Sequence, residues 1–125
     1  MRTSLEHINI TLNDIDRTAA ALQQIFDWQI RWQGDAMNNG RTIHIGTQDD
    51  YVALYTHPDV QSSDTSSTAM GNLNHIGIVV DDIDAIESRV KQAGFKPNSH
   101  GNYHPGRRFY FDLDEHLEIE VISYD

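Results

Sequence analysis

Polar and apolar residues alternate with a period of two over His7-Ile8-Asn9-Ile10-Thr11-Leu12 and again over His75-Gly77-Val79 set against Ile76-Ile78-Val80. Each run predicts a strand with one apolar face and one face that carries a histidine. An acidic turn follows each, "NDID" and "DDID", whose Asp and Asn side chains suit a helix N-terminus. The period then lengthens. Ile15, Ala19, Leu22 and Phe26 make one helical stripe, and Ile83, Ile86, Val90 and Ala93 make a second, with Gly94 placed to end it. Beyond each helix the period returns to two: strands are expected at 28–33, 41–46 and 51–56, then at a weak edge around 95–99 and at 107–113 and 117–123. Pro97 restricts its strand to an edge or a bulge. Turns are expected at 34–40, through Asn39-Gly40, and at "TQDD" and "DEH".

The two halves are one phrase written twice. Over 5–16 and 73–84 seven of twelve positions are identical at an offset of 68, among them His7/His75, Ile8/Ile76, Ile10/Ile78, Asp14/Asp82 and Asp16/Asp84. At an offset of 66, residues 42–59 lie over 108–125 without a gap, which sets His44 over Tyr110 and Leu54 over Glu120. Duplication of this kind predicts an α+β fold of two tandem βαβββ modules, a half-open eight-stranded barrel with the helices outside. One domain over 1–125 is expected, with a first module at about 1–57, a connector at about 58–71 and a second module at about 72–125. The connector assignment rests on the Ser, Thr and Asp of "THPDVQSSDTSSTAMG".

Composition narrows the partners. Nine Lys and Arg against nineteen Asp and Glu give a net charge of −10, which opposes nucleic acid and anionic lipid. No cysteine is present, so disulfides and thiolate metal sites are excluded, and seven His remain as nitrogen ligands. With no secretory signal pattern and no long apolar run, a soluble cytoplasmic location is the default expectation.

One His on the polar face of a strand is ordinarily a solvated residue. A pair at equivalent positions of a repeat is different, because packing explains the repeated apolar positions but not the repeated His7 and His75. Glu120 adds a carboxylate in the middle of an apolar final strand, where an unpaired charge is costly. Two imidazoles and a carboxylate with open positions suit one divalent ion: Fe, Mn, Zn, Ni or Co. Glu118 shares the face of Glu120, and a register slip would exchange them.

"LEHINI", "LNHIGI", the acidic helix starts and the terminal "YFDLDEHLEIEVISY" resemble the vicinal oxygen chelate superfamily, which holds glyoxalase I, extradiol dioxygenases, fosfomycin-modifying transferases, methylmalonyl-CoA epimerase and bleomycin-resistance proteins. The resemblance spans nearly the full chain and implies His7, His75 and Glu120 as the metal ligands. Glyoxalase I and the epimerase carry a fourth ligand on the last strand of the first module, where the gapless alignment puts Leu54. The dioxygenase and fosfomycin branches place a Tyr ten residues before the ligand Glu, and Tyr110 stands there, as a donor toward a developing oxyanion. His44, its internal mirror, is a candidate general base; Asn9, on the His7 face, is a candidate to orient a substrate oxygen; His57 is a weaker acid/base candidate. Arg107 and Arg108 are open to two readings, a contact to a substrate carboxylate or a solvated surface pair. The family's "DPDG" turn is replaced by Asp112-Leu113-Asp114-Glu115-His116.

These residues imply a metal-dependent enzyme of the glyoxalase/dioxygenase type, lyase or dioxygenase, acting on a small molecule whose vicinal oxygens the ion chelates. The rival is a binding protein, similar to bleomycin-resistance members, that sequesters a cationic compound without catalysis. The resemblance also implies a homodimer.

Overall fold

A computed structural model describes residues 1–62 and 69–125, which divide into two compact units, Met1–Ser62 and Ser63–Asp125. Part of the expected connector, 63–68, lies outside the described residues. The first unit runs β1 (His7–Thr11), α1 (Ile15–Phe26), β2 (Gln29–Ala36), β3 (Gly40–Gly46) and β4 (Tyr51–Thr56). The second runs β5 (Ile76–Val79), α2 (Ile83–Gln92), β6 (Asn98–Tyr103), β7 (Gly106–Asp114) and β8 (Leu117–Ser123). Each is a βαβββ module with a four-stranded sheet, ordered β1-β4-β3-β2 and β5-β8-β7-β6. The α+β class and the tandem-module plan are therefore borne out.

Both helices start as the acidic turns predict. The Asp14 carboxylate accepts from the Arg17 amide at 3.1 Å, and Asp82 accepts from the Ala85 amide at 3.0 Å, each filling an otherwise open donor of the first turn. Helix α2 closes in a Schellman turn in which Gly94, at φ +93°, donates to Lys91 and Phe95 donates to Val90. On α1 the buried stripe is Ile15, Ala19, Leu22 and Ile25, with Phe26, expected on it, only half-buried. These residues meet β3 and β4, whose Ile43, Ile45, Val52 and Leu54 are buried. The second core is built likewise from Ile83, Ile86 and Val90 of α2 with Phe109, Phe111, Ile119 and Val121. Burying one such side chain is worth about 1.5–3 kcal/mol, so each module has a core of its own.

Three local expectations are corrected. The β2–β3 turn centres on Asn38 and Asn39, at φ 60° and 58°, with Gly40 donating to Met37; it lies one residue before the expected Asn39-Gly40. The edge strand beside β7 begins at Asn98, just past Pro97, instead of ending there. The third correction concerns register. Tyr110 pairs with Glu120 and Glu120 with Gly77, whereas in the first module His44 pairs with Ala53 and Ala53 with Asn9. The counterpart of Glu120 is thus Ala53 and not Leu54. The cause is a bulge between Asp112 and Asp114 that adds Leu113 to β7, tucks it into the core at 5% exposure, and breaks a gapless alignment by one residue.

Candidate metal and substrate site

Strand alternation collects the chemistry of each module on the face turned away from its helix. In the second module a row across the sheet reads Gly77, Glu120, Tyr110, Asn98, with His75 one step before Gly77 on the same face. The His75 Nε2 atom lies 3.5 Å from Glu120 Oε1. Its Nδ1 is 2.8 Å from the Asn74 side-chain oxygen, which can only accept, so Nδ1 carries a proton in this contact. On the other carboxylate oxygen, Oε2, the Tyr110 hydroxyl donates at 2.8 Å and Arg108 Nη1 donates at 3.2 Å. The Glu120 side chain is 13% exposed. Partners on Oε2 orient the carboxylate and leave Oε1 toward the imidazole. This spacing suits a shared proton or, with the ring neutral, a cation, and that donor set fits a divalent ion.

Tyr110 is held protonated. Its hydrogen bond to Glu120, then burial, then the negative charge of Glu120 all push the phenol pKa above its ordinary value. With its proton engaged on Oε2, the role that the geometry supports best is positioning of Glu120.

In the first module the matching row is Asn9, Ala53, His44, Trp32. Around it stands an aromatic stack. Tyr51, paired with His7 in register, lies face to face with His7 at 4.8 Å and with His44 at 4.7 Å between ring centroids. The Arg31 guanidinium sits 4.5 Å from the Tyr51 ring, and Trp32 meets His44 edge-on at 5.2 Å. The His7 Nδ1 atom is 2.8 Å from Glu6 Oε1, so this ring too carries a proton on Nδ1. Burial, then the neighbouring His7, then Arg31 lower the His44 pKa, which keeps it neutral near pH 7. Asn9 is exposed beside Ala53. His57 stands apart from this stack, past the end of β4, its Nδ1 accepting from the Asp59 amide at 3.2 Å.

The structure thus brings His75, Glu120 and Tyr110 together in one module and His7 and His44 together in the other. Among the described residues no group of three His, Cys, Asp or Glu converges as an ion cage. One participant escaped sequence reasoning: Tyr51 reads as an ordinary strand aromatic until the parallel β1–β4 register puts it beside His7. Of the two readings open for the Arg107-Arg108 pair, a solvated surface residue does not describe Arg108, which is half-buried against Glu120. Arg107 is the one that behaves as a surface residue, paired with Asp84 at 2.9 Å.

A family model described as the glyoxalase/bleomycin resistance protein/dioxygenase superfamily matches residues 4–119. The chain belongs to this superfamily. A glyoxylase/bleomycin resistance protein/dioxygenase domain from Frankia sp. EAN1pec is similar at TM-score 0.83 and 19% identity, over 98% of this chain and 93% of that one. The fosfomycin resistance protein FosX of Listeria monocytogenes, in complex with Mn(II) and sulfate, is similar at TM-score 0.72 and 20% identity, over 98% and 93%. FosX of Mesorhizobium loti is similar at TM-score 0.72 and 22% identity, over 98% and 92%. At such identities these superfamily neighbours attest the fold. Comparison with curated proteins gives no match.

Proposed function

We propose that the chain is a metal-dependent enzyme in which His7, His75 and Glu120 hold one divalent ion and a small molecule with vicinal oxygens binds to it. The observation that carries this reading is the pair His75 Nε2 and Glu120 Oε1 at 3.5 Å, each with its other polar atom tied down by Asn74, Tyr110 or Arg108. His7 enters as the repeat equivalent of His75, with the same Nδ1 arrangement. The Mn(II) complex of Listeria FosX supports a divalent ion in this fold. The reading requires the two modules to act as one domain.

A bound ion would supply Lewis acidity, lowering the proton affinity of the oxygens it chelates. The protein's own groups do the rest. Tyr110 fixes the Glu120 carboxylate; His44, neutral near pH 7, can accept a proton from substrate; Asn9, in the same row, can donate an amide hydrogen to a substrate oxygen. A lyase or isomerase needs only this proton transfer. A dioxygenase needs Fe(II) and O₂ as well.

The test is metal stoichiometry and affinity for Mn(II), Fe(II), Ni(II) and Zn(II) in the untagged wild type and in Glu120→Ala and His75→Ala. Near one ion per chain, lost in both variants, is expected. Equal and negligible content in all three sinks the proposal and leaves the cation-sequestering reading, which the net charge of −10 favours, to be tested with a cationic drug in EDTA. Oxygen uptake on catechols after anaerobic Fe(II) loading, set against turnover of a glutathione hemithioacetal with Ni(II) or Zn(II), then separates dioxygenase from lyase.

A further inference from the structure

Among the described residues, Arg108 is a charged side chain with buried donors left unpaired. Its side chain is 13% exposed; Nη1 donates to Glu120 at 3.2 Å, and the Tyr103 ring lies 4.6 Å from the guanidinium carbon. Nε and Nη2 are buried, yet neither has a hydrogen-bond acceptor among the described residues. Their hydrogens form the side edge of the guanidinium, two parallel donors spaced to meet two oxygens of a single group. Buried donors of a cation are ordinarily satisfied, so an unmatched edge asks for an occupant. The same place in the repeat is held by Thr42, at the offset of 66 that sets His44 over Tyr110, and its hydroxyl is also buried and unpartnered among the described residues. With one face of the guanidinium covered by Tyr103 and one end tied to Glu120, the direction of the unpaired edge is set.

We propose that the Nε/Nη2 edge of Arg108 seats an oxyanionic group of the substrate, a carboxylate or a phosphonate, beside the Glu120 carboxylate. This rests on the proposed function only in taking the two to be parts of one site. The substrate is then an anion, which a chain of net charge −10 repels at long range and recognises by one buried fork. Its association should therefore speed up as salt screens the repulsion.

The experiment titrates metal-free protein, and then Mn(II)-loaded protein, with benzoate, with phenylphosphonate and with neutral benzamide in a calorimeter. At least one of the two oxyanions is expected to bind about tenfold or more tighter than benzamide, and the preferred one tells carboxylate from phosphonate. Arg108→Lys, which keeps the charge without the fork, should lose most of that preference, while Arg107→Gln should keep it. In the wild type the Arg108 Nε–H resonance should shift on addition of the preferred oxyanion, a readout that needs no variant to fold. Oxyanions that bind no tighter than benzamide, or a preference that survives in folded Arg108→Lys, overturn the proposal. Oxyanion preference without any Mn(II) binding would overturn the metal reading alone; Mn(II) binding without the preference would overturn this one alone.

Discussion

The Tyr110 hydroxyl donates to Glu120 Oε2 at 2.8 Å from the strand position directly opposite, so one cross-strand pair both orients the candidate ligand and fixes the state of the phenol. The relation runs both ways. Glu120 raises the Tyr110 pKa, and Tyr110 leaves Glu120 with one oxygen turned to His75.

Removing either partner should therefore be visible in the other. In Glu120→Gln the largest cause of the raised phenol pKa is gone, so Tyr110 should titrate at lower pH than in wild type. The measurement is the phenolate absorbance difference between each protein and its Tyr110→Phe counterpart, followed from neutral to alkaline pH. Tyr110→Phe itself should weaken divalent-ion binding about tenfold, the usual effect of deleting a partner of a ligand, without unfolding the chain. An unchanged metal affinity would remove Tyr110 from the site.

A second pair of mirrored contacts contributes to the acid stability. Arg41 holds Asp16 through two hydrogen bonds of 3.0 and 2.9 Å, and Arg107 holds Asp84 in the same way at 3.4 and 2.9 Å. In each, hydrogen bonding to the guanidinium lowers the Asp pKa. A carboxylate with a depressed folded-state pKa contributes stability that is present above its unfolded value, about 3.9, and is lost as pH falls through the folded value. Denaturant midpoints should thus fall more steeply below about pH 4 in wild type than in Asp16→Asn or Asp84→Asn. The effect should be small and weaken with salt, since all four side chains are largely exposed.

The register of the first module has its own test. Leu54, fully buried, shares the helix-side face with Ile10, while Ala53 shares the other face with Asn9 and His44. Leu54→Ala should cost about 2–5 kcal/mol, and Leu54→Glu should abolish cooperative unfolding by placing a charge in the core. Ala53 is also buried, at 2% exposure, but on the face of Asn9 and His44, so Ala53→Glu should cost less than Leu54→Glu. If Leu54→Glu were the tolerated variant, Leu54 would be the position equivalent to Glu120.

That register shows where sequence and structure part company. Period-two and helical patterns placed both helices and every strand except the edge strand β6, because each module buries one face against its own helix and the burial writes itself into alternation. The capping Asp14 and Asp82 and the mirrored His7 and His75 were legible for the same reason: they recur at a constant offset. The bulge at Leu113 was not, because an extra apolar residue in a strand end looks like ordinary alternation, and only pairing reveals it. Nor was the burial of Arg108, since Arg107 beside it has the same chemistry and which of two adjacent residues turns to the Glu120 face depends on register. Tyr51 was hidden because parallel β1–β4 pairing joins residues 44 positions apart.

The residue before each histidine gives the last expectation. Asn74 accepts from His75 Nδ1 and Glu6 from His7 Nδ1, both at 2.8 Å, and each thereby selects the tautomer whose Nε2 can take a metal. Replacing Asn74 by Ala removes the acceptor without touching a ligand, so the His75 ring should lose its preference and populate both neutral tautomers. Nitrogen chemical shifts of the His75 ring in metal-free protein report this directly, independent of any activity. Ion affinity should drop about tenfold in parallel, because part of the binding energy must then go to restoring the Nδ1–H form. Asn74→Asp should keep the tautomer and at least match the wild-type affinity, its carboxylate being the stronger acceptor, as Glu6 already is for His7. An Asn74→Ala variant with unchanged ring shifts and unchanged affinity would show that the strand, not the preceding side chain, sets the histidine.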